Sequence, residues 1–343
     1  MLSGAVGSRV LPIGPRHEAG AASRPAGLAR FAIDILRTAF SIRAHRAYRR
    51  VSLIFANGSR SATYGVLLKM TSPSRSFVVH LRDTVSVESL GRAGALVMRK
   101  LVLPRADGLI ANSEHTLASA RPYLRESAKV RALPSPSGTT RAASGESALP
   151  PTNEIRIGIV ARLTEWKGHR LLLEAFERSF PRGGASLHFI GGAPFGGDEF
   201  RKELEREIAN RRLQERVHLI GHVDNVEAWI NAMDICVQCS IVPEPLGQNV
   251  LQYLSAGAVI VAAEEGGPRE WIRNGENGIL VAPRDFRALS DALTSLATNP
   301  ALRRRLALAA SGTRVPTTEE LVVELQGYLE QFGRSPVTKG RGL

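Results

Sequence analysis

Short apolar, β-branched runs alternate along this chain with stretches whose apolar residues recur at helical spacing, the pattern of parallel strands joined by crossover helices. In the first part, Val51–Asn57, Ser76–Arg82, Gly108–Asn112 and Val130–Leu133 predict strands, with helices at 28–46 and Val87–Leu103. The periodicity then breaks in a stretch clustered in Ser, Gly and Pro, 135–153, the best domain boundary in the chain. It resumes with strands near Arg156–Val160, Leu187–Ile190, Val217–Ile220, Ile235–Gln238, Val259–Ala263 and Gly278–Val281, and with helices at Asp285–Ala297, Ala301–Ala310 and Glu319–Phe332. The expected organisation is α/β: a domain over 1–134, a linker over 135–153, a second domain over 154–315, and a terminal helix and tail over 316–343.

Composition fits this reading: 343 residues, 43% hydrophobic and 22% charged, are ample for two domains of ordinary size. No stretch approaches the roughly 20 apolar residues of a membrane-spanning helix. The first twenty residues lack the continuous apolar core of a secretory signal; they are poor in acids, as transit peptides are, but Pro12 and Pro15 interrupt an amphipathic helix there. Cys236 and Cys239 lie in one strand-like run, where residues three apart point to opposite faces, so buried structural thiols in a reducing cytoplasm are expected.

Charge changes the picture. The net +13 is uneven, for residues 1–150 hold 22 Lys and Arg against 8 Asp and Glu while the remainder holds 23 against 24. Arg30, Arg37, Arg43, Arg46, Arg49 and Arg50 follow or interleave with Leu28, Phe31, Ile35, Leu36, Phe40 and Ile42, a basic amphipathic pattern. It has two readings: the segment lies on an anionic membrane surface, giving a cytoplasmic protein peripheral on the inner membrane face, or Phe31, Leu36 and Phe40 pack on a sheet while the arginines are solvated. No zinc-finger, RNA-binding aromatic or helix-turn-helix pattern accompanies the charge, so nucleic acid is not an expected partner.

The candidate chemistry lies in the second domain. Arg162 and Lys167 fall on the loop between the strand ending at Val160 and the helix over Leu171–Phe176, where α/β folds bind ligands. Some eighty residues on, Glu244 precedes Gly247, near which an apolar-periodic helix begins, so the amides of Gly247, Gln248 and Asn249 stand beside a carboxylate. Fixed cations and helix N-terminal amides stabilise a leaving diphosphate, and a carboxylate accepts hydrogen bonds from sugar hydroxyls. Gly191 and Gly192 open a loop that has neither the ending of a nucleotide-hydrolysing phosphate loop nor a dinucleotide spacing, and is expected to turn beside the base or sugar.

These segments, with Gly221-His222-Val-Asp224, Ser255-Ala-Gly257, Gly266-Gly267-Pro268-Arg269-Glu270 and Asn274-Gly-Glu-Asn277-Gly278, resemble the retaining glycosyltransferases of family 4 from about Ile155 to Leu308. The resemblance implies the GT-B fold, two Rossmann-like domains facing a cleft, and a nucleoside diphosphate sugar as donor with no metal or other cofactor. Arg162 and Lys167 would hold the diphosphate and Glu244, first acid of an E-x7-E motif, would contact the transferred sugar. The second acid falls at position 252, where this chain has Gln252. Glutamine still hydrogen-bonds ribose hydroxyls but loses a charge-assisted share of roughly 1 kcal/mol; weaker donor binding and relaxed or lost activity both remain open.

By the same resemblance His80 faces the transferred sugar, although a strand histidine bonded to backbone is the plain alternative. Ser113 resembles a strand-to-helix turn and reads equally as a helix N-cap. The acceptor would be a glycan, a lipid-linked sugar or a small molecule, anionic or membrane-held acceptors suiting the basic charge. The family's opening strand and glycine-rich loop have no counterpart before Val51, so either the start of the sequence is misassigned or the first domain is shortened, and in the second case a partner or second copy would cover its sheet edge. A non-catalytic subunit binding a partner glycosyltransferase is therefore the second hypothesis; a sugar-nucleotide epimerase is a third, against which the E-x7-E-like segment argues.

Overall fold

The computed structural model describes residues 25–139, 146–193 and 198–333. They fall into two compact units: one takes the chain to Ala111, Thr116–Ala132 and the chain from Leu325, the other Asn112–His115 and Leu133–Glu324. Among the described residues no helix is long and apolar enough to cross a membrane.

The first unit is built on four parallel strands in the order β1 (Leu53–Asn57), β2 (Ser76–Leu81), β3 (Gly108–Ala111) and β4 (Lys129–Ala132). β2 and β3 are buried on both faces, hence their unbroken apolar runs, whereas β1 alternates buried and exposed positions as an edge strand does. The terminal helix Thr318–Gly333 sends Tyr328 into this unit, its hydroxyl within donating reach of the carbonyls of Leu109 (3.2 Å) and Lys129 (2.7 Å). That bond stitches the helix across β3 and β4.

Two sequence expectations fail here. The helix expected over Val87–Leu103 is broken: an α-helix over Val87–Val97 contains Gly91 in a left-handed conformation and is followed by a π turn, Met98–Val102, and a 3-10 turn ending at Arg105. Apolar periodicity survives such breaks, so it could not disclose them. The leading helix, Pro25–Ala44, packs on the helix Ser59–Thr71 with Thr38 and Ala39 buried, but Leu36 is 60% and Phe40 74% exposed. Leu36 and Phe40 therefore do not pack on the sheet; the side chains of Leu28, Arg30 and Phe31 lie outside the described residues.

The second unit holds six parallel strands, β5 (Ile155–Val160), β6 (Ala185–Ile190), β7 (Val217–Gly221), β8 (Ile235–Gln238), β9 (Ile260–Ala263) and β10 (Ile279–Val281), ordered β10-β9-β8-β5-β6-β7. This is the doubly wound nucleotide-binding order, with its switch point between β5 and β8. Helices His169–Ser179, Asp198–Asn210 and Phe286–Thr298 cover one face; Val226–Asn231 and Gln248–Ala256 cover the other. Cys236 and Cys239 are free and buried in these two opposite layers, and burial pushes the Cys239 thiol up to about 12 and Cys236 higher still.

Three buried histidines tie stability to pH. Burial, then Arg82, lowers His80 to about 4; burial lowers His169 to about 4 against its bond to Thr164; burial, then His218 and Arg156, lowers His188 to about 4. Below the ordinary value of 6.5 the unfolded chain binds protons that these rings refuse until about pH 4, so stability present above 6.5 is lost as pH falls. Urea unfolding should show a loss of about 2 kcal/mol per histidine between pH 6.5 and 5, reduced in His169→Gln. A flat stability curve over that window would contradict the burial argument.

Candidate functional site

Two loops leave the carboxyl ends of β5 and β8 at the switch point, 161–168 and 239–247. β5 pairs with β6 along six residues but with β8 at only two positions, Ile157 to Ile235 and Gly158 to Cys236, after which the strands part. The Tyr253 hydroxyl fills the gap, accepting from the Val160 N–H (2.8 Å) and donating to the Val237 carbonyl (3.2 Å). Asn249 adds a bond from its side-chain amide to the Val160 carbonyl (3.2 Å). The helix Gln248–Ala256 is thereby pinned to both strands, its amino end at the crevice between them.

The first loop is held by its backbone. The Ala161 and Leu163 N–H groups donate to the carbonyls of Ile190 (2.9 Å) and Gly192 (3.0 Å), and Gly191 N–H donates to Gly221 (2.8 Å). Gly191 and Gly192 thus brace the Arg162 loop from the end of β6; residues 194–197 of their turn lie outside the described residues. Arg162 is exposed, with no ion-pair partner among the described residues. A 3-10 turn, Glu165–Lys167, ends in Gly168 at φ 80°, and a Cβ there would strike the carbonyl oxygen of Cys239. The Ile241 N–H donates to Trp166 (2.8 Å), locking one loop to the other.

That lock brings Lys167 onto Glu244. Lys167 Nζ forms an ion pair with Glu244 Oε1 and stands 4.1 Å from the centre of the Trp166 ring, while Ser240 Oγ donates to the same Oε1 at 2.6 Å. With side chains 14% and 7% exposed, the two charges are largely out of water, where removing one partner is far more costly than at a surface. The Glu244 carbonyl accepts from Gly267 N–H (2.8 Å), whose backbone lies so close to Leu246 that no Cβ fits. Ser113, which groups with this unit, donates from Oγ to the Pro245 carbonyl beside Glu244.

Gly247 caps the next helix in a left-handed conformation, and the first N–H groups of a helix, here from Gln248 and Asn249, have no partner within it. The side chains of the two glutamines do something else. Gln248 and Gln252, one turn apart, donate to the consecutive carbonyls of Pro136 (3.0 Å) and Ser137 (3.1 Å), clasping the stretch that follows Leu133. Asn249 is likewise turned inward, so backbone amides, not side chains, are what this helix end offers.

The structure therefore gathers Lys167, Glu244, Gly247, Gln248, Asn249 and the Arg162 loop at one crevice, with Gln252 a turn away on the clasp. His80 lies in the other unit, at the end of β2, stacked 6.2 Å from Phe55, its buried Nε2 without a partner among the described residues. Ser240 and Tyr253 escaped the sequence reading; Ser240 carries no pattern, and Tyr253 reads as one more apolar position of its helix. Among the described residues no three His, Cys, Asp or Glu side chains converge as a metal set. Two cations, helix amides and one carboxylate at a switch point can hold a diphosphate and orient a hydroxylated group attached to it.

Known proteins resemble this chain in sequence and in fold. Residues 141–312 match the family model described as glycosyl transferases group 1. The lipopolysaccharide core biosynthesis glycosyltransferase LpsE of Rhizobium meliloti is 29% identical over 178 residues, 52% of this chain and 49% of that protein; the chain spans about half or less of the length of the curated relatives it matches. Among solved structures, HepE of Anabaena in complex with UDP and glucose has a TM-score of 0.73 at 23% identity, covering 89% of this chain and 82% of that one. Sucrose-phosphate synthase of Thermosynechococcus elongatus has a TM-score of 0.73 at 21% identity, covering 88% and 79%. The α/β architecture with two parallel sheets is the GT-B fold of these neighbours.

Proposed function

We propose that this chain, which belongs to the family of glycosyl transferases group 1, moves a sugar from a nucleoside diphosphate donor to a glycan, lipid-linked or small-molecule acceptor with retention of configuration, in the manner of family 4 and without a metal. The observation that carries the reading is the Lys167–Glu244 pair formed between the two switch-point loops, the second of which leads directly into the helix Gln248–Ala256. Arg162 and Lys167 neutralise the leaving diphosphate, the amides of Gln248 and Asn249 bind its oxygens, and Glu244 orients the sugar hydroxyls. As the bond from the sugar to phosphate breaks, a bond to the acceptor oxygen forms on the same face, and the departing phosphate oxygen takes the acceptor's proton. The family resemblance would set His80 against the transferred sugar; its ring is buried in the first unit.

One observation favours a second reading, a non-catalytic subunit: the Gln252 amide, at the position where the family's second acid meets ribose, is taken up by the Ser137 carbonyl. Its Oε1 remains an acceptor for a ribose hydroxyl, and for that reason we keep the enzymatic reading first.

Calorimetric titration of the purified chain with UDP, GDP, ADP and their sugar conjugates tests the site. UDP comes first, because HepE, of the same fold, was solved with it. One nucleotide is expected to bind, and Arg162→Ala to weaken it by about tenfold or more, the scale of one lost charge-assisted contact. No binding by demonstrably folded protein would move the assignment to the non-catalytic subunit.

A further inference from the structure

The leading helix has two apolar faces where packing needs only one. Thr38 and Ala39, with the half-buried Ile35 and Ile42, recur at helical spacing and turn toward the helix Ser59–Thr71. Ile33, Leu36 and Phe40 recur at the same spacing on nearly the opposite side, 49%, 60% and 74% exposed. Isolated apolar side chains are ordinary on a protein surface; three in register on one helix, the largest of them also the most exposed, form a stripe.

The charge around the stripe selects what it fits. Arg37 is exposed beside it, and the short 3-10 turn directly after the helix adds the exposed Arg46, Arg49 and Arg50. The helix carries one acid, Asp34, against Arg30, Arg37 and Arg43, and residues 1–150 as a whole hold the chain's entire positive excess. An apolar stripe bordered by arginines matches a surface that is anionic outside and apolar just beneath. A second copy of this chain would bring the same positive charge to the contact and be repelled.

We propose that the Ile33, Leu36 and Phe40 stripe, with Arg37, Arg46 and Arg49, docks the first unit on an anionic phospholipid surface, the apolar side chains entering the boundary between headgroups and acyl chains. The helix lies flat in that boundary and does not span it. The docking is independent of the donor site, so vesicle binding is measured without nucleotide and survives a failure of the functional reading.

The experiment is sedimentation of the full chain with vesicles of phosphatidylcholine alone and of phosphatidylcholine mixed equally with phosphatidylglycerol. The chain is expected to pellet with the mixed vesicles, less so as salt is raised, and to stay in solution with the neutral ones. Leu36→Glu with Phe40→Glu, both at exposed positions, should reduce binding roughly tenfold or more while circular dichroism and the thermal midpoint stay unchanged. Arg37→Gln with Arg49→Gln, which touches no packed apolar group, should weaken binding at low salt only. Binding that ignores lipid charge, or that persists undiminished in both variants, overturns the proposal. So does a dimer in sedimentation velocity that the Leu36→Glu, Phe40→Glu variant dissociates, since the stripe would then belong to a second copy.

Discussion

Lys167→Ala is expected to lower turnover roughly 10²–10³-fold at saturating donor, the scale of a lost transition-state contact to developing charge. The side chain sits at the end of a turn fixed on both sides, by Ile241 N–H on the Trp166 carbonyl and by the Gly168 stop. In the proposed function its ammonium therefore meets the leaving diphosphate without reorganising. The same substitution also leaves Glu244 buried with Ser240 as its remaining partner, and breaking a buried pair from one side costs about 3–5 kcal/mol of stability. Turnover and urea unfolding must be measured together. The paired variant Lys167→Met, Glu244→Gln removes both charges and should recover most of the stability but none of the turnover. Recovery of both would make Lys167 a structural residue and remove the basis of the donor-site reading.

Gly168→Ala is the second large effect. Glycine is required there twice over: the backbone is left-handed, and an added Cβ would press on the carbonyl oxygen of Cys239, a main-chain atom that cannot swing aside as a side-chain tip would. A left-handed non-glycine residue costs about 1–3 kcal/mol and overpacking a similar amount, giving about 2–5 kcal/mol. The cost should appear in thermal or urea unfolding, accompanied by loss of nucleotide binding, because the turn that moves carries Lys167. A variant within about 0.5 kcal/mol of the parent would show that the two loops adjust freely, and the rigidity ascribed to this crevice would have to be abandoned.

Much of the second unit was legible before any coordinates. β6, β8 and β9 are buried at every position and leave mostly apolar runs, and residue type at loop positions was enough to single out Arg162, Lys167 and Glu244. Their partnership was not legible. Glu244 reads as a free acid in the sequence, yet Lys167, brought near through a backbone bond between loops some seventy residues apart, neutralises it, and no local pattern encodes such a bond. Gln252 illustrates the same limit from the other side. As a replaced acid it reads as a loss, whereas in the fold its amide does what no carboxylate can, donating to the Ser137 carbonyl. The leading helix was half legible: its amphipathic pattern was plain, but both of its faces are apolar, and periodicity alone could not say which one the protein would cover.

The parting of β5 and β8 carries a consequence for how the crevice meets a ligand. Two parallel strands that separate leave main-chain groups wanting partners, and left alone they would zip together or admit solvent. The Tyr253 hydroxyl, answering one N–H and one carbonyl from inside a fully buried ring position, holds them at a set width. Burial raises that phenol well above its ordinary range, so it stays neutral, and able to donate as well as accept, at any pH the protein survives. The width of the crevice is thus set by the fold itself, so in the proposed donor site no binding energy goes into parting the strands.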